Sequence, residues 1–212
     1  MTDVADQPKI LVWDAPVRVF HWLLVLSFAG AYITAESERW RLVHVTLGYT
    51  MAGLVAFRVL WGLAGTRYAR FSNFVHGPAR VRRYLRSLVG GVPEHYTGHN
   101  PAGAVAIVLL LISAVLISLT GWASYNDIGG EWLSELHEGA SSAMLALVGV
   151  HLAGVVVATL LHRENLVRAM VTGKKVGDAI DAVRSARWIV AVGLVLGVLV
   201  FWVLQWQGAP GA

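Results

Sequence analysis

Five long apolar runs, separated by polar segments, constrain the fold of this chain more than any other feature of its sequence. A helix of about 20 apolar residues is long enough to cross the hydrocarbon core of a bilayer. Hydrophobic residues make up 56% of the chain and charged residues only 14%, whereas about a quarter of the residues in soluble domains are charged. We therefore expect an all-α membrane protein that spans the bilayer at about residues 17–34, 42–63, 101–122, 137–162 and 188–204.

Lysine and arginine residues between the spans indicate the orientation in the membrane. The 66–100 and 163–187 segments each hold six of these cations, the first loop holds Arg39 and Arg41, and the 124–136 loop holds none. Positively charged segments stay on the cytoplasmic side. We therefore expect a multi-pass membrane protein with its N-terminus in the cytoplasm and its C-terminus on the outer side.

The first basic segment has a pattern typical of a helix that lies in the membrane interface. The predicted helix follows Pro78 and has one apolar face and several arginines. Its apolar residues are Val81, Tyr84, Leu85 and Leu88, and its cations are Arg80, Arg82, Arg83 and Arg86.

Four histidines lie within the predicted spans and form two levels. Fourteen residues separate His137 from His151 on the fourth span, which corresponds to about 21 Å of rise and nearly four helical turns. His21 lies at the inner level of the first span, and His44 lies at the outer level of the second. We call His21 and His151 the inner pair, and His44 and His137 the outer pair. Ionisable residues inside a membrane are costly and are functional candidates by default.

Two imidazoles that face each other across a helix bundle can fill both axial positions of a haem iron. Zinc normally takes three or four protein ligands, and neither level supplies a carboxylate or a cysteine to complete such a set. Gly48 and Gly139, close in sequence to the outer pair, would leave room for a porphyrin. The alternative is that the four histidines only pack within the bundle.

Two arginines are candidates to bind haem propionates. Arg18 precedes His21 by one helical turn, and Arg58 follows His44 by fourteen residues, on the same face of its helix. Alternatively, these arginines could anchor the helices by extending to the membrane surface.

A series of motifs occurs in order along the chain. They are Arg18-Val-Phe-His21-Trp22, His44 with Gly48, Arg58-Val-Leu-Trp61-Gly62, Ala69-Arg70-Phe71, His99-Asn100-Pro101-Ala-Gly103, the spacing from His137 to His151, and the run from Asn165 to Gly173. Over about residues 10–176, they resemble the bacterial cytochrome b561 and hydrogenase-type cytochrome b family. The resemblance implies a four-helix core with two haem b groups, one held by the inner pair and one by the outer pair. It also implies electron exchange between a membrane quinone and an external redox partner. A member of this family would lie in the bacterial inner membrane, and the outer side that carries the C-terminus would be the periplasm.

The resemblance divides the chain into two parts. Residues 1–176 would form the di-haem transmembrane domain, and residues 177–212 an amphipathic connector followed by a fifth transmembrane helix outside the common core. That helix either docks a partner or serves only as an anchor.

The leading hypothesis for function is an electron carrier between the quinone pool and a periplasmic protein such as a c-type cytochrome. Acidic residues near the outer pair would attract a basic partner; they are Asp127, Glu131, Glu135 and Glu138. One alternative is a superoxide:quinone oxidoreductase, although an acidic entrance would repel an anion. The other is a haem-bearing anchor subunit of a dehydrogenase or hydrogenase. Whether the chain is itself an enzyme stays open at this point.

Quinone turnover exchanges protons, and histidines titrate near neutral pH. His99 and His162 lie near the inner pair by sequence, at the cytoplasmic ends of the third and fourth spans. They are therefore the candidate residues for a quinone site.

Overall fold

The structure is a computed structural model that describes residues 8–92 and 94–208. Its longer elements are helices, joined by short turns and by one pair of three-residue strands. In chain order, the helices and strands are β1 (Lys9–Leu11), α1 (Ala15–Thr34), α2 (Arg41–Ala64), α3 (Phe71–Phe74), α4 (Pro78–Val89), α5 (Pro101–Tyr125), α6 (Glu131–His162), α7 (Leu166–Thr172), β2 (Lys174–Val176) and α8 (Trp188–Gln207).

Helices α1, α2, α5, α6 and α8 are each long and apolar enough to cross a membrane. They coincide with the five spans that the sequence predicts, so the prediction of an all-α membrane protein is confirmed. Local sequence explains where two of them begin. Pro16 occupies the first turn of α1, where its missing N–H costs nothing. The Oδ1 atom of Asn100 accepts a hydrogen bond from the backbone N–H of Gly103 (2.7 Å) and caps α5.

The fourth span begins earlier than the sequence indicates. The 124–136 segment, interpreted as an acidic loop, is mostly helical, because α5 continues to Tyr125 and α6 begins at Glu131. The turn between them contains Gly129 and Gly130 at φ of 84° and 82°, a conformation that glycine adopts without steric cost. Glu131 lies in the first turn of α6, where its charge interacts favourably with the helix dipole.

The described residues form two compact units. The first unit contains residues 8–14, Leu60–Leu110 and Leu145–Ala186. The second unit contains Ala15–Val59, Leu111–Met144 and residues 187–208.

Residues 8–14 belong to the core of the first unit. Strand β1 pairs with β2 in antiparallel orientation, and Ile10 lies opposite Lys175. Ile10, Val12 and Trp13 are buried together with Ala169 of α7. Burial of these apolar side chains is favourable by about 1.5–3 kcal/mol for each large one, and this gain orders the segment.

Helix α4 confirms the helix predicted after Pro78. Tyr84 is buried within the first unit, whereas Leu85 and Val89 are exposed. The Nε atom of Arg83 donates a hydrogen bond to Glu94 (3.0 Å). Glu94 also accepts a hydrogen bond from Tyr96 (2.6 Å), and this contact is the main reason that the pKa of the Glu94 carboxyl lies below its ordinary value.

Candidate functional site

The structure brings the outer pair of histidines together within the second unit. His44 extends from α2 and His137 from α6, and their ring centroids lie 6.2 Å apart with the ring planes at 80° to each other. Both side chains are half-buried. Two imidazoles this close to each other could form a donor set for a metal placed between them.

Backbone carbonyls orient both rings. The Nδ1–H of His44 donates to the carbonyl oxygen of Ala31 on α1 (2.8 Å). The Nδ1–H of His137 donates to the carbonyl oxygen of Ile117 on α5 (3.0 Å), and Thr120 Oγ1 lies 3.2 Å from the same nitrogen. Metal-binding histidines typically use one ring nitrogen in such a bond, which fixes the ring and the tautomer. The Nε2 atom of each ring therefore keeps the lone pair that could bind a metal.

The separation of the two rings fits one metal ion with two axial imidazoles. A metal–imidazole bond of about 2 Å on each side, with about 1 Å from the nitrogen to the ring centre, places such centroids about 6 Å apart. The described residues contain no cluster of three or more His, Cys, Asp or Glu side chains that could hold a metal ion. A group that supplies its own equatorial ligands, such as a haem, fits two histidines better than a bare ion does.

Two glycines make room near the outer pair, Gly121 for the His137 ring itself and Gly48 for open space beside His44. A Cβ atom on Gly121 of α5 would lie 2.8 Å from Cε1 and 3.1 Å from Nδ1 of His137, so only glycine lets this ring lie against α5. Gly48 follows His44 by one helical turn and is half-buried, yet a Cβ atom there would meet nothing within 4 Å. Open space beside a half-buried histidine is the cradle that a porphyrin would need.

The inner pair is divided between the two units. His21 belongs to the second unit and His151 to the first. The Nδ1 atom of His21 is buried, and its ring packs edge-on against Trp22 at a centroid distance of 5.1 Å. Ligation of one iron by His21 and His151 therefore stays a prediction.

The two arginines that are candidates to bind haem propionates both belong to the second unit, but their environments differ. The guanidinium of Arg18 lies over the Trp188 ring, 5.0 Å from its centroid. Arg58 is 3% exposed, so its guanidinium does not extend to the surface as an interfacial anchor would. A buried cation needs nearby acceptors or anions, and a propionate could serve as one of them.

Of the two candidate quinone residues, His99 lines a cleft in the first unit. Its ring lies between Trp13 and Phe74 of the first unit, at centroid distances of 4.4 and 4.5 Å. The cleft has a volume of about 200 Å³. His162, in the same unit, does not line it and packs against His95 at a centroid distance of 5.6 Å.

Most groups around this cleft are polar. Arg67 forms an ion pair with Asp181 (2.9 Å), and the Tyr68 hydroxyl donates to the Asp181 carbonyl oxygen (3.0 Å). Burial raises the pKa of Tyr68, so its hydroxyl stays protonated at neutral pH. Burial, and to a lesser extent the neighbouring Arg80, lowers the pKa of His76 at the rim.

Asp14 is a buried polar residue that the sequence analysis did not single out. It is 1% exposed, and its Oδ2 atom accepts hydrogen bonds from Trp61 Nε1 (3.0 Å) and Thr66 Oγ1 (2.7 Å). The sequence signal that points to Asp14 is its position directly before α1, where aspartate commonly caps a helix. In the first unit, Asp14 joins the segment before α1 to the end of α2.

Comparisons with known proteins agree with this architecture. The family described as prokaryotic cytochrome b561 matches residues 12–173. A probable Ni/Fe-hydrogenase B-type cytochrome subunit of Azotobacter chroococcum is 34% identical over 163 residues, covering 63% of this chain and 67% of the relative. Proteins of the same description from Azotobacter vinelandii and Rhodobacter capsulatus are 29% and 22% identical, covering 80% and 82% of this chain and 90% and 84% of the relatives.

No solved structure shows a significant match to the chain. The family match nevertheless covers four of the five apolar helices, α1, α2, α5 and α6, and all four histidines of the inner and outer pairs. A b-type haem and a role in electron transport are properties of this group of proteins. The chain belongs to the prokaryotic cytochrome b561 family of multi-pass membrane proteins.

Proposed function

We propose that this chain is a transmembrane electron-transfer subunit that holds two b-type haems. His44 and His137 would hold the outer haem, and His21 and His151 the inner haem. The observation that carries the proposal is the geometry of the outer pair: ring centroids 6.2 Å apart, with each Nδ1–H donated to a backbone carbonyl. This arrangement leaves the Nε2 atom of each ring available to bind a metal.

The protein residues would supply position and electrostatics. Carbonyl oxygens of Ala31 and Ile117 hold the axial imidazoles in one tautomer and increase their basicity. Arg58 would neutralise a propionate, since a buried guanidinium and a carboxylate stabilise each other when hydrogen-bonded. A haem held by two of these histidines would supply one-electron transfer.

The partner that we favour is a hydrogenase or a related dehydrogenase, for which this chain would be the haem-bearing membrane subunit. The names of the relatives support this choice. Electrons would pass from the enzyme to the quinone pool of the inner membrane, with the N-terminus and the basic segments in the cytoplasm. His99 at its cleft would serve the quinone side, and His162 would lie near it.

Purification of the tagged chain from native membranes under mild conditions tests this partner. We expect a hydrogenase large subunit in stoichiometric amount, and reduction of the haem absorbance bands when hydrogen gas is added. Addition of a quinone should then reoxidise the haems. Recovery of the chain alone, with haems that hydrogen does not reduce, would contradict this choice of partner.

A c-type cytochrome is the second candidate partner, because the outer surface near His137 is acidic. Four carboxylates there are exposed, and none forms an ion pair among the described residues; they are Asp127, Glu131, Glu135 and Glu138. Such a surface attracts a basic protein at low ionic strength. If this candidate is right, proteoliposomes that contain quinol should reduce added cytochrome c at a rate that falls steeply with salt.

Superoxide oxidation receives less support from the structure. The outer cations that would attract superoxide are engaged: Arg41 forms an ion pair with Glu38 (3.7 Å) and lies over the Tyr125 ring, and Arg39 lies over the Trp40 ring. Superoxide-dependent quinone reduction by the purified chain is therefore not expected.

A further inference from the structure

Helix α8 is attached to α2 by a hydrogen bond between side chains. Trp202 Nε1 donates to Thr50 Oγ1 (2.8 Å), and Thr50 is 3% exposed. The Thr50 hydroxyl donates its own proton to the carbonyl oxygen of Thr46 (2.7 Å), so its oxygen is available to accept from the indole. Residues 188–207 lie beyond the part of the chain that the family matches.

The same helix is also attached to α1. It packs along α1, with Ala191 1% exposed. Near the start of α8, the guanidinium of Arg18 lies over the Trp188 ring, 5.0 Å from its centroid, in a stabilising cation–π contact. Helix α8 therefore joins α1 and α2 within the second unit. A helix that served only as a membrane anchor would need neither the contact with α1 nor the one with α2.

The separation of α1 and α2 matters for the outer pair because one hydrogen bond spans it. His44 on α2 donates its Nδ1–H to Ala31 O on α1 (2.8 Å). Thr50 lies six residues after His44, about 120° away around the helix. The indole of Trp202 thus contacts a different side of α2 from the one that carries His44, and it would act on the histidine only through the position of the helix.

We propose that Trp202 is a positioning residue: by joining α8 to Thr50, it fixes the distance between α1 and α2 and so the hydrogen bond of His44. This inference rests on the proposed function, in which His44 binds the outer haem. A strong Nδ1–H···O bond makes the imidazole a more basic ligand. A more basic axial ligand favours ferric iron and lowers the reduction potential. Loosening the bond should therefore raise the potential of the outer haem.

The test uses the full chain in lipid nanodiscs and two variants, each of which removes one partner of the hydrogen bond between Trp202 and Thr50. Trp202→Phe removes the indole N–H, and Thr50→Val removes the hydroxyl that accepts it. Trp206→Phe is the matched control, because Trp206 lies one turn further along α8, is 47% exposed and has an indole that makes no hydrogen bond to the described residues. Thr50→Ser keeps the hydroxyl and should behave as the unaltered protein does.

Optical redox titration and low-temperature electron paramagnetic resonance give the main readouts. The outer haem is identified as the titration step that His137→Ala removes. We expect Trp202→Phe and Thr50→Val each to keep two haems, to raise the potential of the outer step and to shift its low-spin signal. The inner step should not move. The double variant should shift the outer step no further than either single variant.

Thermal unfolding provides a readout that does not depend on electron transfer. If the two side chains act through one bond, the decreases in Tm for Trp202→Phe and Thr50→Val should be clearly non-additive in the double variant. Additive decreases, an unchanged outer potential, or equal shifts of both haems would overturn the positioning role. If His44→Ala keeps both haems, the proposed function itself fails, and that result is independent of the Trp202 variants.

Discussion

A glycine on α5 determines where the His137 ring can lie. A methyl group at Gly121 would come within 2.8 Å of Cε1 of that ring, and overpacking of this kind costs about 1–3 kcal/mol. Gly121→Ala should therefore lower haem affinity at the outer site by about 5- to 150-fold, which titration of the apoprotein with haem can measure. Gly197→Ala on α8 is the control, because a Cβ atom there meets nothing within 4 Å. Equal haem affinity in both variants would contradict the packing argument.

Loss of the Asp14 side chain should lower the stability of the first unit. Its carboxylate accepts hydrogen bonds from Trp61 and Thr66, and hydrogen bonds to a charged group contribute about 1.5–3 kcal/mol each. We expect Asp14→Ala to lower the free energy of unfolding by at least about 1.5 kcal/mol. Thermal or denaturant unfolding in detergent measures this loss. Glu135→Ala, at an exposed position of helix α6, should be neutral within about 0.5 kcal/mol, and a neutral Asp14→Ala would refute the assignment.

At the scale of single residues, the sequence predicts the candidate ligands but not what orients them. Histidines in apolar spans stand out because an ionisable group in lipid is costly, and this reasoning identified His44 and His137. The carbonyls of Ala31 and Ile117 leave no mark in the sequence, since every residue has a carbonyl. Their role depends on how α1 and α5 pack beside the histidines, and only coordinates reveal that packing.

At the scale of elements, α4 should lie in the membrane interface. Leu85 and Val89 are 48% and 92% exposed, and beside them along the helix lie arginines that can reach lipid phosphates. The chain has no cysteine, so single cysteines can be introduced and labelled with a fluorophore. Lipids that carry a quencher in the acyl chain should quench strongly at Leu85→Cys and Val89→Cys.

Arg83→Cys is the control position on α4, because Arg83 pairs with Glu94 on the polar side. Quenching there should be weak. Similar quenching at all three positions would mean that α4 either enters the bilayer entirely or stays outside it, and the interfacial position would then be wrong.

Helix positions were predictable wherever apolar runs were long, and the errors are local. The sequence places the start of α6 too late, because the acidic residues before His137 are typical of a loop. A negative charge in the first turn of a helix is nevertheless favourable. The β1–β2 pair was missed because three-residue strands are too short to show a periodic pattern. Their pairing also depends on a contact between residues distant in sequence, Ile10 and Lys175.

At the scale of the whole molecule, the family match and the five apolar helices define a membrane cytochrome b. Helix α8 adds a span beyond the matched region, and the division of the chain into residues 1–176 and 177–212 stays a prediction. The number of haems is the feature on which the electron-transfer proposal depends. Two haems at different depths would let electrons cross the bilayer, whereas one haem would serve only one side.

Haem stoichiometry is therefore the most direct test of the account. The haem-to-protein ratio and the low-spin spectrum should be measured for the purified chain, for His44→Ala and for His151→Ala. We expect two haems in the unaltered chain. Each variant should lose one haem, and the two variants should lose spectrally different ones. Haem content that is unchanged in both variants would contradict the ligand assignment and, with it, the proposed path for electrons.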